Sequence, residues 1–331
     1  MSIYAQFPEW RSRRLRRTEA IRRLVAETQI SVNDFVAPLF VREDIEEPQQ
    51  IPSLPGVYQH TIKSLRLEVD SLRKLGEPGV IIFGIPKSKD EFGSEAWNPD
   101  GIVQVALKDL KESFGEEMTL IADLCVDEYT SHGHCGVLSS AGTVDNDATL
   151  EIYNQIALAQ AEAGADVCAP SGMMDGQVAS IRGALNSGGH IDTIILAYSA
   201  KYASSLYGPF RDPVDVTIKD GGDRRGYQQD SSNLRESLME IKADITEGAD
   251  IVMVKPALSY LDVIARARTE IEVPIAAYHV SGEYSMVKAA EANGWVDGES
   301  VMMEHLLSIK RAGADIILTY AAKQAAEILQ G

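Results

Sequence analysis

Cysteine is scarce in this sequence. Cys125, Cys135 and Cys168 are the only three in 331 residues, too few for an even disulfide framework, so a reducing cytoplasm is the better expectation. Long apolar runs are missing, and no segment reads as a membrane span. Met1 to Gln6 do not read as a secretory signal peptide. No Gly-x-Gly-x-x-Gly follows the first strand candidate, which counts against a doubly wound dinucleotide-binding sheet. Positive charge is also in deficit. Lysine and arginine number 31 against 49 aspartates and glutamates, and a net charge of −18 argues against a general nucleic-acid binder.

What basic charge there is lies at the front. Residues 1–30 hold seven arginines (Arg11, Arg13, Arg14, Arg16, Arg17, Arg22, Arg23) against Glu9, Glu19 and Glu27, net +4, which leaves −22 for the rest. A basic arm on an acidic body suggests docking on the chain's own body or on a neighbouring subunit. A transit peptide and an RNA-binding tail are the competing readings, and Pro8 and Glu9 suit a transit peptide poorly. The arm is therefore expected to serve subunit contacts, with residues 31–331 forming one catalytic domain.

With 45% hydrophobic and 24% charged residues, that body has the composition of a soluble globular fold. Eight buried-strand candidates follow: Phe35–Val41, Val80–Ile85, Leu120–Leu124, Asp166–Ala169, Thr193–Tyr198, Asp250–Val254, Pro274–Val280 and Asp315–Tyr320. Each precedes a stretch long enough for a helix. Gly-Ala-Asp recurs at Gly164–Asp166, Gly248–Asp250 and Gly313–Asp315, each time closing a helical pattern and opening a strand. The helix before the first repeat should start after Asp147 and bury Tyr153, Ile156, Ala157 and Ala161. The helix before the last should run from Ser300 to Ala312 and offer Met303, Leu306, Leu307 and Ile309 to the core. Eight βα units predict an α/β fold, a (β/α)8 TIM barrel with an extended N-terminal arm. The one long irregular stretch, residues 207–233, reads as an active-site lid.

In such a barrel the chemistry sits where strands end. Ile251-Val-Met-Val-Lys255-Pro256 carries a lysine to the end of a buried strand, where desolvation lowers its pKa and makes it a nucleophile. The competing reading is an ammonium that snorkels to solvent. Lys201 lies beyond Tyr198 at the neighbouring strand end, and two amines facing one cavity would depress each other's pKa. Schiff-base chemistry on carbonyl substrates follows. Cys125-Val-Asp127, with Cys135 ten residues beyond Cys125, reads as a metal loop, since thiolates select zinc and three ligands leave an open catalytic position. Buried structural cysteines are the alternative, and His132 and His134 are alternative ligands or loop histidines. Cys168 reads as a small core residue. Arg211, Arg224, Arg225 and Gln228 in the lid suit a substrate carboxylate.

These motifs together resemble the porphobilinogen synthase (5-aminolevulinate dehydratase) family. They are Tyr198-Ser-Ala-Lys201-Tyr-Ala-Ser-Ser-Leu-Tyr-Gly-Pro-Phe-Arg211-Asp, Met253-Val-Lys255-Pro-Ala, Arg13-Arg-Leu-Arg, Tyr129-Thr-Ser-His-Gly-His-Cys-Gly, Ala169-Pro-Ser-Gly-Met-Met-Asp-Gly and Val280-Ser-Gly-Glu-Tyr. The resemblance spans nearly the whole chain. It implies a cytoplasmic lyase of heme (tetrapyrrole) synthesis that condenses two 5-aminolevulinate molecules with loss of two waters. It implies Lys255 as the Schiff-base lysine of the first substrate, whose carboxylate meets Ser281 and Tyr320. Lys201 would hold the second, whose carboxylate meets Arg211, Arg225 and Gln228. Tyr198, Tyr278 and Asp123 match further active-site positions. The resemblance also implies a homo-octamer built through the arms.

Two positions depart from the family pattern. Asp127 replaces the middle cysteine of the zinc-dependent members, so zinc at Cys125, Asp127 and Cys135 and metal-independent catalysis both stay open. Glu240 matches an allosteric magnesium ligand, but Gly172 stands where many members have a supporting aspartate. A class I aldolase on the same barrel is the rival enzyme, needing one Schiff-base lysine and no metal. A metal-storing or regulatory scaffold is the non-enzymatic rival, and it predicts a missing lysine or carboxylate clamp.

Overall fold

Parallel strands separated by helices have to close on themselves or expose an edge, and here they close. The computed structural model describes residues 6–210, 213–214 and 223–331. Its barrel strands are β1 (Phe35–Arg42), β4 (Gly79–Ile85), β5 (Thr119–Leu124), β6 (Val167–Pro170), β7 (Ile194–Lys201), β8 (Ile251–Lys255), β9 (Ile275–His279) and β10 (Ile316–Thr319). Neighbours pair in parallel around the ring, and β10 returns to β1 through Phe35 opposite Ile317. This is the predicted TIM barrel, and all eight predicted strands are present. The short strands β2 (Gln49–Gln50) and β3 (Tyr58–His60) extend the sheet beside the end of β1, and neither carries an apolar run that would mark it as a strand.

Side-chain alternation divides the core in two. Phe40, Ile81, Phe83, Ile121, Val167, Leu196, Met253, Ala276 and Leu318 fill the barrel interior. Leu39, Val80, Ile82, Leu120, Cys168, Ile195, Val252, Ile275 and Ile317 face the helical layer. Cys168 is thus a packing residue of the outer layer, and burial pushes its thiol up to about 12.

The helices are α1 (Glu19–Leu24), α2 (Ile62–Lys74), α3 (Ile102–Phe114), α4 (Asn146–Glu162), α5 (Gln177–Ser187), α6 (Arg235–Glu247), α7 (Leu261–Arg268), α8 (Ser281–Ala292), α9 (Gly298–Ala312) and α10 (Ala322–Gln330). Among the described residues no helix is long and apolar enough to cross a membrane. The cap of α4 is Asp145, whose carboxylate accepts from the Ala148 amide, so Asp147 falls in the first turn instead. Tyr153, Ile156 and Ala157 are buried as expected, and Ala161 packs at the edge of the core. In α9 the interior is met by Met302, Leu306 and Ile309, with Met303 at the margin.

The Gly-Ala-Asp repeat is a structural device used three times. Gly164, Gly248 and Gly313 take φ of 101°, 108° and 122°, a region that side chains other than glycine rarely enter. The aspartate then accepts from the backbone amide of the preceding strand: Asp166 from Leu120 at 2.9 Å, Asp250 from Ile195 at 2.8 Å and Asp315 from Ile275 at 2.9 Å. A basic residue from a helix completes each unit, with Lys111, Arg182 and Arg268 pairing with Asp166, Asp250 and Asp315. Its stem lies where a Cβ on the repeat's glycine would sit. Each aspartate therefore ties two adjacent strands and a helix together at the N-terminal end of the barrel.

The fourth pair, β1 and β4, lacks this device. There Gly76-Glu77-Pro78 replaces it, and the Glu77 amide bonds the Leu72 carbonyl as Ala165 bonds Gln160 and Ala314 bonds Ile309. Glu77 therefore sits where the repeats place a buried alanine. Its carboxylate is 2% exposed and neither oxygen has a hydrogen-bond partner.

Candidate active site

Regular alternation would point Tyr198 and Lys201, three residues apart on β7, to opposite faces of the sheet. A bulge prevents this. Ala197 lies opposite Val252 and Ala200 opposite Val254, so β7 carries one extra residue between them. Both Tyr198 and Lys201 consequently face the interior, and Lys201 lies directly opposite Lys255 in the β7–β8 pair.

Both amines are buried. Lys255 Nζ stands 4.1 Å from the ring centre of Tyr278 and 5.0 Å from that of Tyr198, with Tyr207 and Phe210 closing the other side. Burial brings its pKa down to about 7, and the Lys201 charge pushes the same way against Asp123, Asp127 and Glu128. The snorkelling alternative is excluded by this enclosure. Lys201 donates to the Ser171 carbonyl after β6.

Asp123, at the inner end of β5, accepts from Ser171 Oγ at 3.1 Å. Burial raises it to about 6, against the pull of the two lysines. Its second oxygen and the Tyr198 hydroxyl are buried without hydrogen-bond partners, as is the Gln228 amide nitrogen. Such atoms are what a polar ligand would satisfy. Tyr278 and Tyr320 hydroxyls lie 3.3 Å apart, and Ser281 opens α8 beside them, its hydroxyl on the Leu206 carbonyl. A cavity of about 200 Å³ joins Lys201, Lys255, Ser171, Tyr207, Arg224 and Gln228.

Above the lysines lies the predicted metal loop. The ligand atoms of Cys125, Asp127 and Cys135 lie within 4.8 Å of one another and all three residues are buried. Burial raises the Cys125 thiol, while Cys135 is lowered by the hydrogen bond from Cys125. Burial alone would raise Asp127, but the Arg224 guanidinium, then Lys201, holds it well below the usual carboxylate range. The loop histidines are spoken for. His132 Nε2 meets the Glu91 carbonyl at 3.1 Å and its Nδ1 accepts from the His134 amide, while His134 Nδ1 meets the Tyr227 hydroxyl at 3.2 Å.

Arg224 and Arg225 both line the cavity of the two lysines. Arg225 is the more exposed, its side chain 82% exposed and its Nε 3.6 Å from Asp223. Arg224 is the inward one, 16% exposed, 2.8 Å from Asp127 and 2.9 Å from the Gly133 carbonyl. Adjacent arginines in a turn give no sequence signal for which faces inward. Arg211 lies outside the described residues.

Gly172 has a local cause. A Cβ there would fall 1.7 Å from the Tyr153 hydroxyl, which donates to the Cys135 carbonyl at 2.5 Å and lies 3.7 Å from Cys125 Sγ. Tyr153 takes the space an aspartate would need and uses it to support the metal loop. Glu240 lines a second cavity with Asp175, Glu236 and Asp244, and burial, then Asp175, Glu236 and Glu247, raises its pKa. Among the described residues only the Cys125, Asp127 and Cys135 group brings three such ligand atoms within 4.8 Å of one another.

The profile of the delta-aminolevulinic acid dehydratase family matches residues 9–328. The chain belongs to this family. It is 54% identical over 324 residues to the delta-aminolevulinic acid dehydratase of Mycobacterium tuberculosis strain H37Rv, covering 97% of this chain and 98% of that one. The Streptomyces coelicolor enzyme of the same name is 52% identical over 332 residues and covers both chains completely. Among solved structures, the delta-aminolevulinic acid dehydratase (porphobilinogen synthase) of Toxoplasma gondii ME49, in complex with the reaction product porphobilinogen, superposes with a TM-score of 0.94. It is 44% identical, covering 96% of this chain and 91% of that one. Lys201, Lys255, Arg225 and Gln228 of the resemblance line one cavity, and Tyr198 and Tyr278 pack their rings against Lys255.

Proposed function

We propose that this chain is a lyase that condenses two 5-aminolevulinate molecules into porphobilinogen with loss of two waters, a step of heme synthesis. The observation that carries this reading is the opposed pair Lys201 and Lys255, both buried and lining one cavity. A single-lysine aldolase needs the second amine only as a charge that lowers the first one's pKa, whereas condensing two ketones uses both as carbonyl-binding groups. Neither lysine is missing as an inactive scaffold would require. Lys255, neutral for a large fraction of the time near pH 7, attacks the ketone carbon of one substrate. The resulting carbinolamine loses the ketone oxygen as water and leaves a Schiff base. Lys201 holds the second ketone in the same way, and the short path between the two strand ends makes bond formation effectively intramolecular. Asp123, poised near pH 6, stands where it can pass protons between the amines and the departing oxygens.

One carboxylate would rest on Ser281 and Tyr320 beside Tyr278. The other would meet Gln228 and Arg224, with Arg225 lining the same cavity. Two buried thiols and a carboxylate with converging ligand atoms fit zinc, held by Cys125, Asp127 and Cys135. When bound, the ion would act as a Lewis acid on the second substrate or lower the pKa of a water. Glu240, sharing a cavity with Asp175, Glu236 and Asp244, would be the place for a magnesium ion. Three free cysteines suit a reducing cytoplasm. The exposed arm suits a homo-oligomer, for which an octamer is the expected assembly.

Borohydride reduction in the presence of labelled 5-aminolevulinate tests the reading. Label should appear on Lys255 and vanish in Lys255→Met. Because the neutral amine is the reactive form, the trapping rate should climb as pH rises through about 7 and level off above. No label on either lysine would sink the assignment.

A further inference from the structure

Asp127 is claimed twice. It is one of three converging ligands of the metal loop, and its Oδ2 is also the ion-pair partner of Arg224 at 2.8 Å. The arginine belongs to the lid, and the lid holds the metal loop at further points. Arg224 also bonds the Gly133 carbonyl, and the Tyr227 hydroxyl meets His134 and the Cys135 amide. The same guanidinium lines the cavity of Lys201 and Gln228, where a substrate carboxylate has to be received.

We propose that Asp127 exchanges between the lid arginine and the metal ion, so that metal binding releases Arg224 to grip the substrate carboxylate. The part concerning substrate rests on the function proposed above. The physical reason is charge. A carboxylate that ligates a divalent ion gives up much of its negative charge to it, and the ion repels a guanidinium a few ångströms away in a buried site. Arg224 already spends one nitrogen on both Asp127 and Gly133, so its planar fork is not open to a bidentate carboxylate until Asp127 lets go. Metal and substrate carboxylate then favour the same state of the lid, and each tightens the other. Three cysteines in this loop would lack the exchange, because a thiolate bound to zinc offers an arginine no comparable partner. The aspartate is what links the two sites.

The test measures zinc affinity without substrate, by competition with a chromophoric chelator. Arg224→Gln should bind zinc about tenfold more tightly than wild type. With Asp127→Asn already in place, the same substitution should lose most of that effect. Equal or weaker zinc binding in Arg224→Gln would mean that the arginine supports the ligand and does not compete for it. An undiminished gain in the Asp127→Asn background would mean that its charge alone acts; either result overturns the proposal. A measurement on the unmodified enzyme guards against misfolded variants. Saturating levulinate, which keeps the ketone and carboxylate of the substrate but has no amine to reach the ion, should tighten zinc severalfold. Unchanged or weakened zinc binding, with levulinate trapped on Lys201 by borohydride, overturns the exchange. Levulinate that is never trapped on Lys201 counts against the functional reading, and the chelator cycle then judges the exchange by itself.

Discussion

A carboxylate without a partner is costly in an apolar setting, and Glu77 is such a group. Burial, then the nearby Glu68, raises its pKa to about 8, although Lys323 opposes the shift. Lys323 is itself committed to Glu68 through both carboxylate oxygens at 2.9 and 3.0 Å. The folded pKa lies above the unfolded value, so the favourable contribution of the neutral acid is complete below about pH 4.5. It is lost as pH rises toward 8. Relative to Glu77→Gln, wild type should lose roughly 2–4 kcal/mol of stability across that window, on ~1.4 kcal/mol per pKa unit. Parallel urea unfolding of both proteins at pH 5 and pH 8.5 checks it, and an equal gap at the two values would refute it. The same scale shows where single residues resist reading from sequence. Glu77 resembles any surface glutamate before a proline, and only its register with the buried alanines of the repeat reveals the burial. Gly172 has a reason in Tyr153, nineteen positions earlier and on another element.

Elements were more legible, because each strand is a run of apolar residues and each helix has its own period. The eight strands, the outer packing of Cys168 and the strand-end position of both lysines all follow from local pattern. What pattern could not supply is the bulge in β7. Alternation alone turns Lys201 away from Tyr198, and the extra residue that turns it back has no distinctive sequence. The aspartate of the Gly-Ala-Asp repeat was expected only to open a strand; its work is to bond the amide of the strand before. A charge-assisted bond of this kind contributes on the order of 1–3 kcal/mol, the half-exposed ion pair adding little. Asp250→Ala should therefore lower the urea midpoint by about that free energy, while Asp250→Asn, which keeps an acceptor, should lose less. Turnover per folded molecule should stay at the wild-type value in both, because the unit lies at the opposite end of β8 from Lys255. A loss of turnover larger than the loss of folded protein would contradict this separation.

At the scale of the whole molecule, the arm stands apart from the barrel. Residues Ser12–Arg16 and helix α1 bury none of their side chains. Phe7 and Trp10 are 74% and 57% exposed, next to a cluster of arginines. Exposed aromatics beside concentrated positive charge on an otherwise acidic protein suit a surface on a second copy. Deleting residues 1–30 should lower the assembly state seen by light scattering after size exclusion. High salt should weaken the wild-type assembly in the same direction. An unchanged oligomer after deletion would remove the arm from assembly.

The three aspartate ties also bear on how this protein can change over evolutionary time. They stabilise the barrel from the end where no substrate arrives, and substitutions among the loops at the other end leave them intact. A cysteine exchanged for Asp127, or an aspartate for Gly172 together with a smaller residue at Tyr153, alters the ligand set while the ties stay in place. That separation leaves the ligand set beside the two lysines free to change without loosening the barrel.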